Sequence, residues 1–417
     1  MRPQAARRRP VQADKLGQRR HRPDYVLLLF AVILLVVGLI VVYAISPGLA
    51  VQKQVDDNYF VTKQMITIML GIITFGLVSQ IPLKFWQRLS TPLVVLATVA
   101  TLIALVSPVS AEYPAHRWIR FGGQSLQSVE LIKFALVICL AGFLAKKIRA
   151  GAIADTRKTL QPLLIVLGIL GVVVAGAQAD LGSTGVLVVM VAAMAYVAGL
   201  PLKRVFQISA IIIVGTVIAI SSSGYRRERV MTFLNPEKDC QNAGYQACQA
   251  LIAVGSGGVA GKGLGHGAQA FGYLPEASND SIFAIIAEKF GFIGTSLIIA
   301  LFVGLFSRIK NILERAPDAT SKLMVTGVLA WLSTQTFINI GSMIGLFPLK
   351  GITLPFISAG GTSVIFVTAA VGLVFQISRY TTFGVNTETE GRSPSDENTV
   401  NWRRDRRPYY ANPSRRA

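Results

Sequence analysis

The chain has 417 residues, of which 52% are hydrophobic and only 15% charged, and its mean hydropathy is +0.53. Soluble domains carry about 25% charged residues, so this composition excludes an ordinary soluble domain and indicates a protein solvated largely by lipid. The formal net charge of +20 would suggest nucleic-acid binding in a soluble protein, but in a membrane protein it is typical of cytoplasmic loops. We therefore expect no nucleic-acid partner. The three Cys and three His are scattered without zinc or iron–sulfur spacing, so the sequence names no metal ligands.

The apolar stretches predict the fold class. Residues 1–24 are polar, rich in Arg and without the apolar core of a signal peptide, so we interpret them as a cytoplasmic tail. The stretch 25–45 supplies the roughly 20 apolar residues that a bilayer-spanning helix needs. The pattern predicts an all-α polytopic integral membrane protein with about ten transmembrane helices. The remaining apolar stretches lie near residues 64–81, 91–107, 130–145, 161–178, 182–199, 206–222, 281–306, 323–343 and 360–377.

The distribution of Lys and Arg predicts the orientation. With the N-terminus inside, most of the 41 Lys and Arg fall on segments that face the cytoplasm. Both termini are then cytoplasmic, and a large extracytoplasmic loop, 223–280, lies between helices 7 and 8 of a transmembrane domain at 25–377. The Arg-rich segment 378–417 is expected to be a disordered tail attracted to anionic lipid, or alternatively a docking segment for cytoplasmic partners.

Two carboxylates, Glu276 and Asp280, stand directly before the eighth apolar stretch. A carboxylate at the mouth of a membrane helix is costly to bury and is therefore a candidate for chemistry. If Pro275 opens the eighth helix, their spacing of four places both acids on one helix face. The alternative is that Asp280 only caps the helix, since Asp and negative charge favour that position.

Several basic side chains are predicted near the same outer face, where they would suit an anionic, lipid-linked substrate. For Arg117, beside Trp118, the alternative is an interfacial anchor. The candidate substrate-binding cations are Arg117, Arg226, Lys262 and Lys350.

Three further charged residues are candidates for shaping a substrate cavity. Glu130 and Lys133 stand one helical turn apart in the fourth stretch, so the alternative for them is a mutual ion pair inside the bundle. Asp180 lies in the short turn between the fifth and sixth stretches.

The outer loop contains a glycine-rich run and two cysteines. Glycines at this density let backbone approach backbone closely, or approach a lipid headgroup. Cys240 and Cys248 face an oxidising compartment in the predicted orientation, so a disulfide is permitted, with two free thiols as the alternative.

One long motif resembles a known family. The run Asn339-Ile340-Gly341, followed by the residues from Pro348 to Ser363, closely resembles the signature of the FtsW/RodA/SpoVE (SEDS) family. The resemblance extends from the first span through the tenth. Other matching pieces are Arg117-Trp118-Ile119, Gln127 to Lys133, Asp180-Leu181-Gly182-Ser183, Gly244-Tyr245-Gln246 and Leu274-Pro275-Glu276-Ala277.

The resemblance implies a function. Members of the family have ten spans and polymerise lipid II, a disaccharide peptide linked to undecaprenyl diphosphate, into peptidoglycan at the outer leaflet of the bacterial cytoplasmic membrane. The acid after Leu-Pro-Glu in the family motif is catalytic, and its counterpart here is Asp280. Nearby cations, or a divalent cation such as Mg²⁺ or Mn²⁺, would stabilise the diphosphate leaving group. Lys350 and Tyr273 resemble the division member FtsW more than the elongation member RodA.

The resemblance also implies partners and leaves rival functions open. The expected partners are a class B penicillin-binding transpeptidase and other membrane proteins of the division septum. Ser278, Asn279 and Ser281 depart from the His-Thr and Phe that usually flank the acid. The alternatives are an elongation-type polymerase, a transporter that flips lipid II along a path lined by Asp180, Glu130 and Lys133, and a division scaffold with vestigial chemistry.

Overall fold

The computed structural model describes residues 19–108, 116–121, 124–201, 203–204, 231–233, 240–242 and 244–381, together with the single residues 215 and 224. The chain divides between Thr382 and Phe383 into two units, and all of the described residues belong to the first. The predicted seventh span, 206–222, and the two predicted tails therefore lie almost entirely outside the described residues.

The described residues form a helical bundle, as the apolar stretches predict. Six helices are long and apolar enough to cross a membrane, and three shorter apolar helices accompany them in the described part of the chain. Their bounds agree with the predicted spans, and the predicted fifth and sixth spans are separate helices. The six are α1 (Tyr25–Lys53), α2 (Tyr59–Gln80), α5 (Ser128–Arg149), α6 (Thr156–Ala177, π-helical at both ends), α9 (Ile282–Glu314) and α10 (Ala319–Met343); the three shorter ones are α4 (Ser90–Val106), α7 (Leu181–Val197) and α11 (Gly361–Ile377).

Smaller elements connect these helices, and the apolar pattern alone did not predict them. Two described α-helices lie outside the apolar stretches, and one of them contains Cys248, which forms a disulfide with Cys240. Two short antiparallel strand pairs complete the fold. The connecting elements are α3 (Leu83–Arg88), α8 (Tyr245–Ser256), β1 (Arg19–Arg20), β2 (Trp118–Phe121), β3 (Gln124–Gln127) and β4 (Tyr380–Thr381).

Carboxylate caps stand at the start of four of the membrane helices. Asp24, Asp155, Asp180 and Asp318 accept backbone N–H hydrogen bonds at the first turns of α1, α6, α7 and α10. These caps satisfy N–H groups that have no partner within the helix, and they place negative charge at the positive end of the helix dipole.

Small residues set the closest helix contacts in the bundle. Helix α11 packs against α2 where a Cβ on Gly372 would lie 3.1 Å from the Phe75 carbonyl oxygen. In a bilayer, helices associate through such close packing because lipid is as apolar as the helix faces. Helix α10 lies at the centre, against α5, α7, α9 and α11.

The two ends of the described chain meet on one face of the bundle. Strand β1 pairs with β4, so that Arg19 lies opposite Thr381 and Arg20 opposite Tyr380. A chain whose ends emerge on the same face crosses the membrane an even number of times. The pairing therefore agrees with an even number of crossings, such as the predicted ten, and with both termini on one side.

A break in α9 explains the glycine-rich run. Gly291 has φ of 63° and ψ of −160° inside this helix, which interrupts the ladder of helical hydrogen bonds. The glycine-rich segment fills the gap, since the N–H groups of Lys262 and Gly263 donate to the Glu288 and Lys289 carbonyls, each at 2.9 Å. A Cβ on Gly257 would lie only 1.9 Å from the Ala287 carbonyl oxygen, so the expected close approach of backbone to backbone is confirmed.

Candidate active site

Segments that are distant in sequence meet at one end of the bundle, which the charge distribution predicts to face outward. They are the strand that begins at Trp118, the turn 178–180, the segment 273–281 and the signature loop 348–360. The signature loop reaches inward, because a Cβ on Gly38, in the middle of α1, would lie 2.7 Å from the Ile357 carbonyl oxygen. Irregular backbone at this depth is tolerated only where protein surrounds it, and Phe356 and Ile357 are fully buried.

Three consecutive carbonyl groups hold the backbone before α9. The Ser278 oxygen accepts from the Ala359 N–H at 2.8 Å, and the Asn279 oxygen accepts from the Ser358 hydroxyl at 2.6 Å. The Asp280 oxygen accepts from the Asn339 side-chain amide at 2.7 Å. These bonds use backbone atoms of residues 278–280, so the departures from the family motif at Ser278 and Asn279 leave this anchorage of Asp280 intact.

Asn339 also links α10 to the signature loop. Its amide nitrogen donates a second hydrogen bond, at 2.7 Å, to the Ile352 carbonyl. One turn earlier, Gln335 donates to the Thr353 carbonyl at 3.0 Å and accepts from Lys133 at 2.8 Å. Both amides are almost completely buried, so α10 holds the signature loop and Asp280 in position relative to each other.

The Asp280 carboxylate and the Arg117 guanidinium converge at Gly351. A Cβ added to this glycine would lie 3.7 Å from Asp280 Oδ2 and 3.5 Å from Arg117 Nη1. Gly351 is exposed and Asp280 is half-buried, so the two opposite charges stand beside a surface that a substrate can reach.

Backbone carbonyls fix Arg117 in place. Its Nε donates to the Gln178 oxygen at 2.9 Å and its Nη2 to the Ala179 oxygen at 2.6 Å. The Gln178 side chain is in turn bonded to Ser128 at the start of α5, at 2.8 Å. An arginine held through two of its nitrogens presents the rest of its planar fork in one direction, which suits it to bind an oxyanion.

Asp180 and Lys350 lie beside this group. Asp180 is buried, and its Oδ1 accepts from the Ser183 N–H at 2.9 Å, while its Oδ2 has no hydrogen-bond partner among the described residues. Lys350 is half-buried, and its Cβ would lie 3.1 Å from a Cβ on Gly182. The structure therefore brings Arg117, Asp180, Lys350 and Asp280 to one end of the bundle.

The shared helix face of Glu276 and Asp280, which required Pro275 to open the eighth helix, is wrong. Helix α9 begins at Ile282, and Glu276 has φ of 51°, which is not helical. The two acids therefore do not share a helix face. The exposed Glu276 accepts from the Asn279 side-chain amide at 2.6 Å and so ties the loop to itself. The capping alternative for Asp280 is also wrong, because the residue at the cap position is Ser281.

The pairing alternative for Glu130 and Lys133 is confirmed. Lys133 Nζ lies 2.6 Å from Glu130 Oε1, and the two side chains are 0% and 3% exposed. The ammonium group also lies 5.3 Å from the centre of the Trp331 ring. Neither charge is open to a substrate in this structure, so the pair supports the signature loop through Gln335.

One of the predicted cations, Lys262, does not add to this group. Lys262 lies 3.8 Å from the buried Glu288. At 1.5 Å per residue, Glu288 is about 9 Å further along α9 than the first residue of that helix. Lys262 therefore belongs to the packing of the glycine-rich segment. Arg226 lies outside the described residues.

Unusual backbone conformations cluster around the same loops. Of the four described non-glycine residues with positive φ, three are Ala179, Glu276 and Phe356. The first follows the Gln178 contact with Arg117, and the other two lie in the segments that hold Asp280. Left-handed conformations in such residues concentrate at functional sites, where the surrounding structure maintains them.

The described residues contain no group of three or more His, Cys, Asp and Glu side chains that would hold a metal ion. The donor set around Asp280 therefore does not fit a metal site built by the protein alone. Among the described residues, Arg117 and Lys350 are the cations beside this site.

The spans, the buried polar network and the loops at the outer end define a polytopic membrane protein with a candidate site at the membrane surface. Residues 25–383 match the family of cell cycle proteins FtsW, RodA and SpoVE. The chain belongs to this family.

Relatives match over almost their whole length. The chain is 36% identical to stage V sporulation protein E of Bacillus subtilis over 363 residues, which cover 87% of this chain and 98% of that protein. It is 34% identical over 365 residues to a protein of Methylomonas methanica named "Probable peptidoglycan glycosyltransferase FtsW", covering 86% and 92%.

Two solved structures share the fold. One is a chain of a peptidoglycan synthase complex described as coordinating polymerisation and crosslinking, with a TM-score of 0.67, 24% identity and coverage of 86% of this chain and 98% of that one. The other is the rod shape determining protein RodA of Thermus thermophilus, with a TM-score of 0.62, 23% identity and coverage of 86% and 97%.

Proposed function

We propose that the chain is a peptidoglycan glycosyltransferase of the FtsW type, which polymerises lipid II at the outer face of the cytoplasmic membrane during cell division. The observation that carries the proposal is the convergence of the Asp280 carboxylate and the Arg117 guanidinium at the exposed Gly351. Family membership supplies the reaction class, and relatives over 30% identical carry the name of this enzyme.

In the proposed mechanism, Asp280 is the general base. Its carboxylate accepts the proton of the acceptor sugar's 4-hydroxyl as that oxygen attacks the anomeric carbon of the donor. The new glycosidic C–O bond forms as the bond from the anomeric carbon to the undecaprenyl diphosphate breaks. The three backbone hydrogen bonds to residues 278–280 hold this base in position.

The leaving diphosphate needs positive charge. Arg117 is the first candidate, because two of its nitrogens bind backbone carbonyls while Nη1 faces the space beside Gly351. Lys350, the preceding residue in the chain, is the second. Preorganised cations in a partly desolvated site stabilise charge that develops in the transition state.

The proposed setting follows from the same reaction. A polymerase that makes uncrosslinked strands needs a transpeptidase to crosslink them, so we expect a class B penicillin-binding partner and other division proteins at the septum. The fold shared with a chain of a peptidoglycan synthase complex supports such an assembly.

The test uses the purified full-length chain with its transpeptidase partner and fluorescent lipid II, followed by gel analysis of the glycan products. Asp280→Asn removes the base with almost no change in shape, and we expect polymerisation to fall by about 100-fold or more. The matched control is Glu314→Gln, which removes a carboxylate in an exposed pair at the far end of α9. Polymerisation by Asp280→Asn at the wild-type rate would refute the assignment of the base.

The same preparation separates the rival functions. Translocation of lipid II in liposomes that survives Asp280→Asn but fails when Asp180 is replaced by Asn would favour the transporter. If neither activity is measured in a protein that cells still require, the scaffold is favoured.

A further inference from the structure

A cavity lined by several ionisable residues lies at the opposite end of the bundle from Asp280. It encloses about 800 Å³ between the start of α1, the end of α9 and the chain that follows α11. Its charged lining consists of His21, Arg22, Asp24, Arg308 and Arg315. We call this cavity the inner groove, since the charge distribution assigns this face to the cytoplasm.

Hydrogen bonds between distant parts of the chain build the inner groove. The His21 N–H donates to the Arg379 carbonyl at 2.9 Å, and the Asp24 N–H donates to the Ser378 hydroxyl at 3.0 Å. Arg308 then joins α9 to the start of α1 through its 2.6 Å salt bridge with Asp24. The walls of the groove are therefore held together by specific bonds.

The groove has an excess of positive charge. Asp24, the carboxylate that lines it, is already engaged by the Leu27 N–H and by Arg308. Within the described part of the chain, no salt bridge joins Arg22 or Arg315 to a carboxylate, and both side chains are exposed. Two guanidinium groups thus remain to bind an anion, and their planar forks match the oxygens of a phosphate.

An apolar surface begins directly at the groove. Tyr25, in its lining, is 60% exposed at the first position of α1, where an aromatic ring suits the membrane interface. Along the same helix, Val26, Leu29 and Val32 are each more than 40% exposed. A ligand with an anionic head in the groove would therefore place an apolar chain against α1.

We propose that the inner groove binds the phosphate headgroup of an anionic phospholipid from the cytoplasmic leaflet. Basic pockets at the cytoplasmic ends of membrane helices recognise such headgroups, and the cytoplasmic leaflet supplies them. The bound lipid joins α1, α9 and the chain after α11 at one point. This site is separate from the Asp280 site, so it does not depend on the proposed enzymatic function.

The test measures lipid binding to the delipidated full-length chain by native mass spectrometry. Phosphatidylglycerol is compared with phosphatidylcholine of the same acyl chains, and the groove variant combines Arg22→Gln with Arg315→Gln. The control variant combines Lys84→Gln with Arg88→Gln, which removes two charges from exposed positions outside the groove. Melting curves of both variants check that the fold is retained.

We expect the wild type to prefer phosphatidylglycerol and the groove variant to bind it about 25-fold more weakly, since each arginine near an anionic headgroup contributes about a factor of five. The control variant should bind as the wild type does. If both variants lose the same affinity for phosphatidylglycerol, the effect comes from net charge alone and the proposal is overturned. Undiminished binding by the groove variant would overturn it as well. Displacement of the lipid by equimolar inorganic phosphate would assign the groove to a soluble phosphate instead.

Discussion

Asn339 offers a direct test of how α10 holds the candidate site together. Its side chain is 1% exposed, and its amide nitrogen donates to the carbonyls of Asp280 and Ile352, each at 2.7 Å. The change Asn339→Leu keeps a similar volume and removes both donors. Two segments of the site would then lose their common attachment to the central helix.

The magnitude follows from these contacts. A buried acceptor left without its donor costs about 1–3 kcal/mol, so two cost roughly 2–6 kcal/mol. The change also removes Asn339 Oδ1, which is buried without a hydrogen-bond partner in the described structure, and this relieves about 1–3 kcal/mol. We expect a net loss of about 2 kcal/mol in the free energy of unfolding. Polymerisation should fall as well, because small displacements of a catalytic group have large effects on rate.

The control lies one turn away on the same helix. Thr336 is 4% exposed, and its hydroxyl has no hydrogen-bond partner among the described residues, so Thr336→Val has the same burial without the lost bonds. The assay is the melting midpoint of the purified protein in detergent, together with the polymerisation rate. If Asn339→Leu melts and polymerises like Thr336→Val, the two hydrogen bonds do not hold the site.

Three further predictions concern the rest of the fold. Lys133→Met should lower the melting midpoint, because it leaves Glu130 charged and buried at a cost of about 3–5 kcal/mol. Adding Glu130→Gln should restore most of the lost stability, and equal midpoints for the single and double variants would contradict this. Gly291→Ala should lower the midpoint, because the new Cβ would lie 2.4 Å from the Gly261 nitrogen. The control Gly168→Ala, which has open space around it, should not, and indistinguishable melting curves of the two variants would argue against the clash. Alkylation followed by mass spectrometry should label the Cys240–Cys248 pair only after reduction, and labelling beforehand would contradict the disulfide.

The separation of Asn339 from its partners shows why sequence alone could not place it. The amide lies 59 residues from Asp280 along the chain, and Ser358 lies 79 residues from Asn279. Both residues belong to the signature that carries the family resemblance, so that signature identified them as a group. Their roles as hydrogen-bond donors to the backbone of residues 279 and 280 are visible only in the tertiary structure.

Local features could be predicted because their causes are local. Membrane spans need about 20 apolar residues whatever surrounds them, so the stretches near 25–45 and 91–107 predicted α1 and α4. The Glu130–Lys133 pair was open to prediction because residues three apart share a helix face. The shared helix face of Glu276 and Asp280 could not be predicted in the same way, because Glu276 adopts a left-handed conformation in the loop before the helix begins.

The sequence by itself determined the membrane class and the positions of the described spans, and it singled out Asp280 as the candidate acid. Hydrophobic length, charge bias and a long motif are properties of the sequence alone, whatever the tertiary structure. Only the tertiary structure decided what surrounds that acid and what forms the inner groove, where Asp24 meets Arg308 across 284 residues. Contacts of this kind depend on which helices pack together. That choice is made by the shapes of buried faces, such as the close approach of Gly372 to Phe75, and not by any single stretch of sequence.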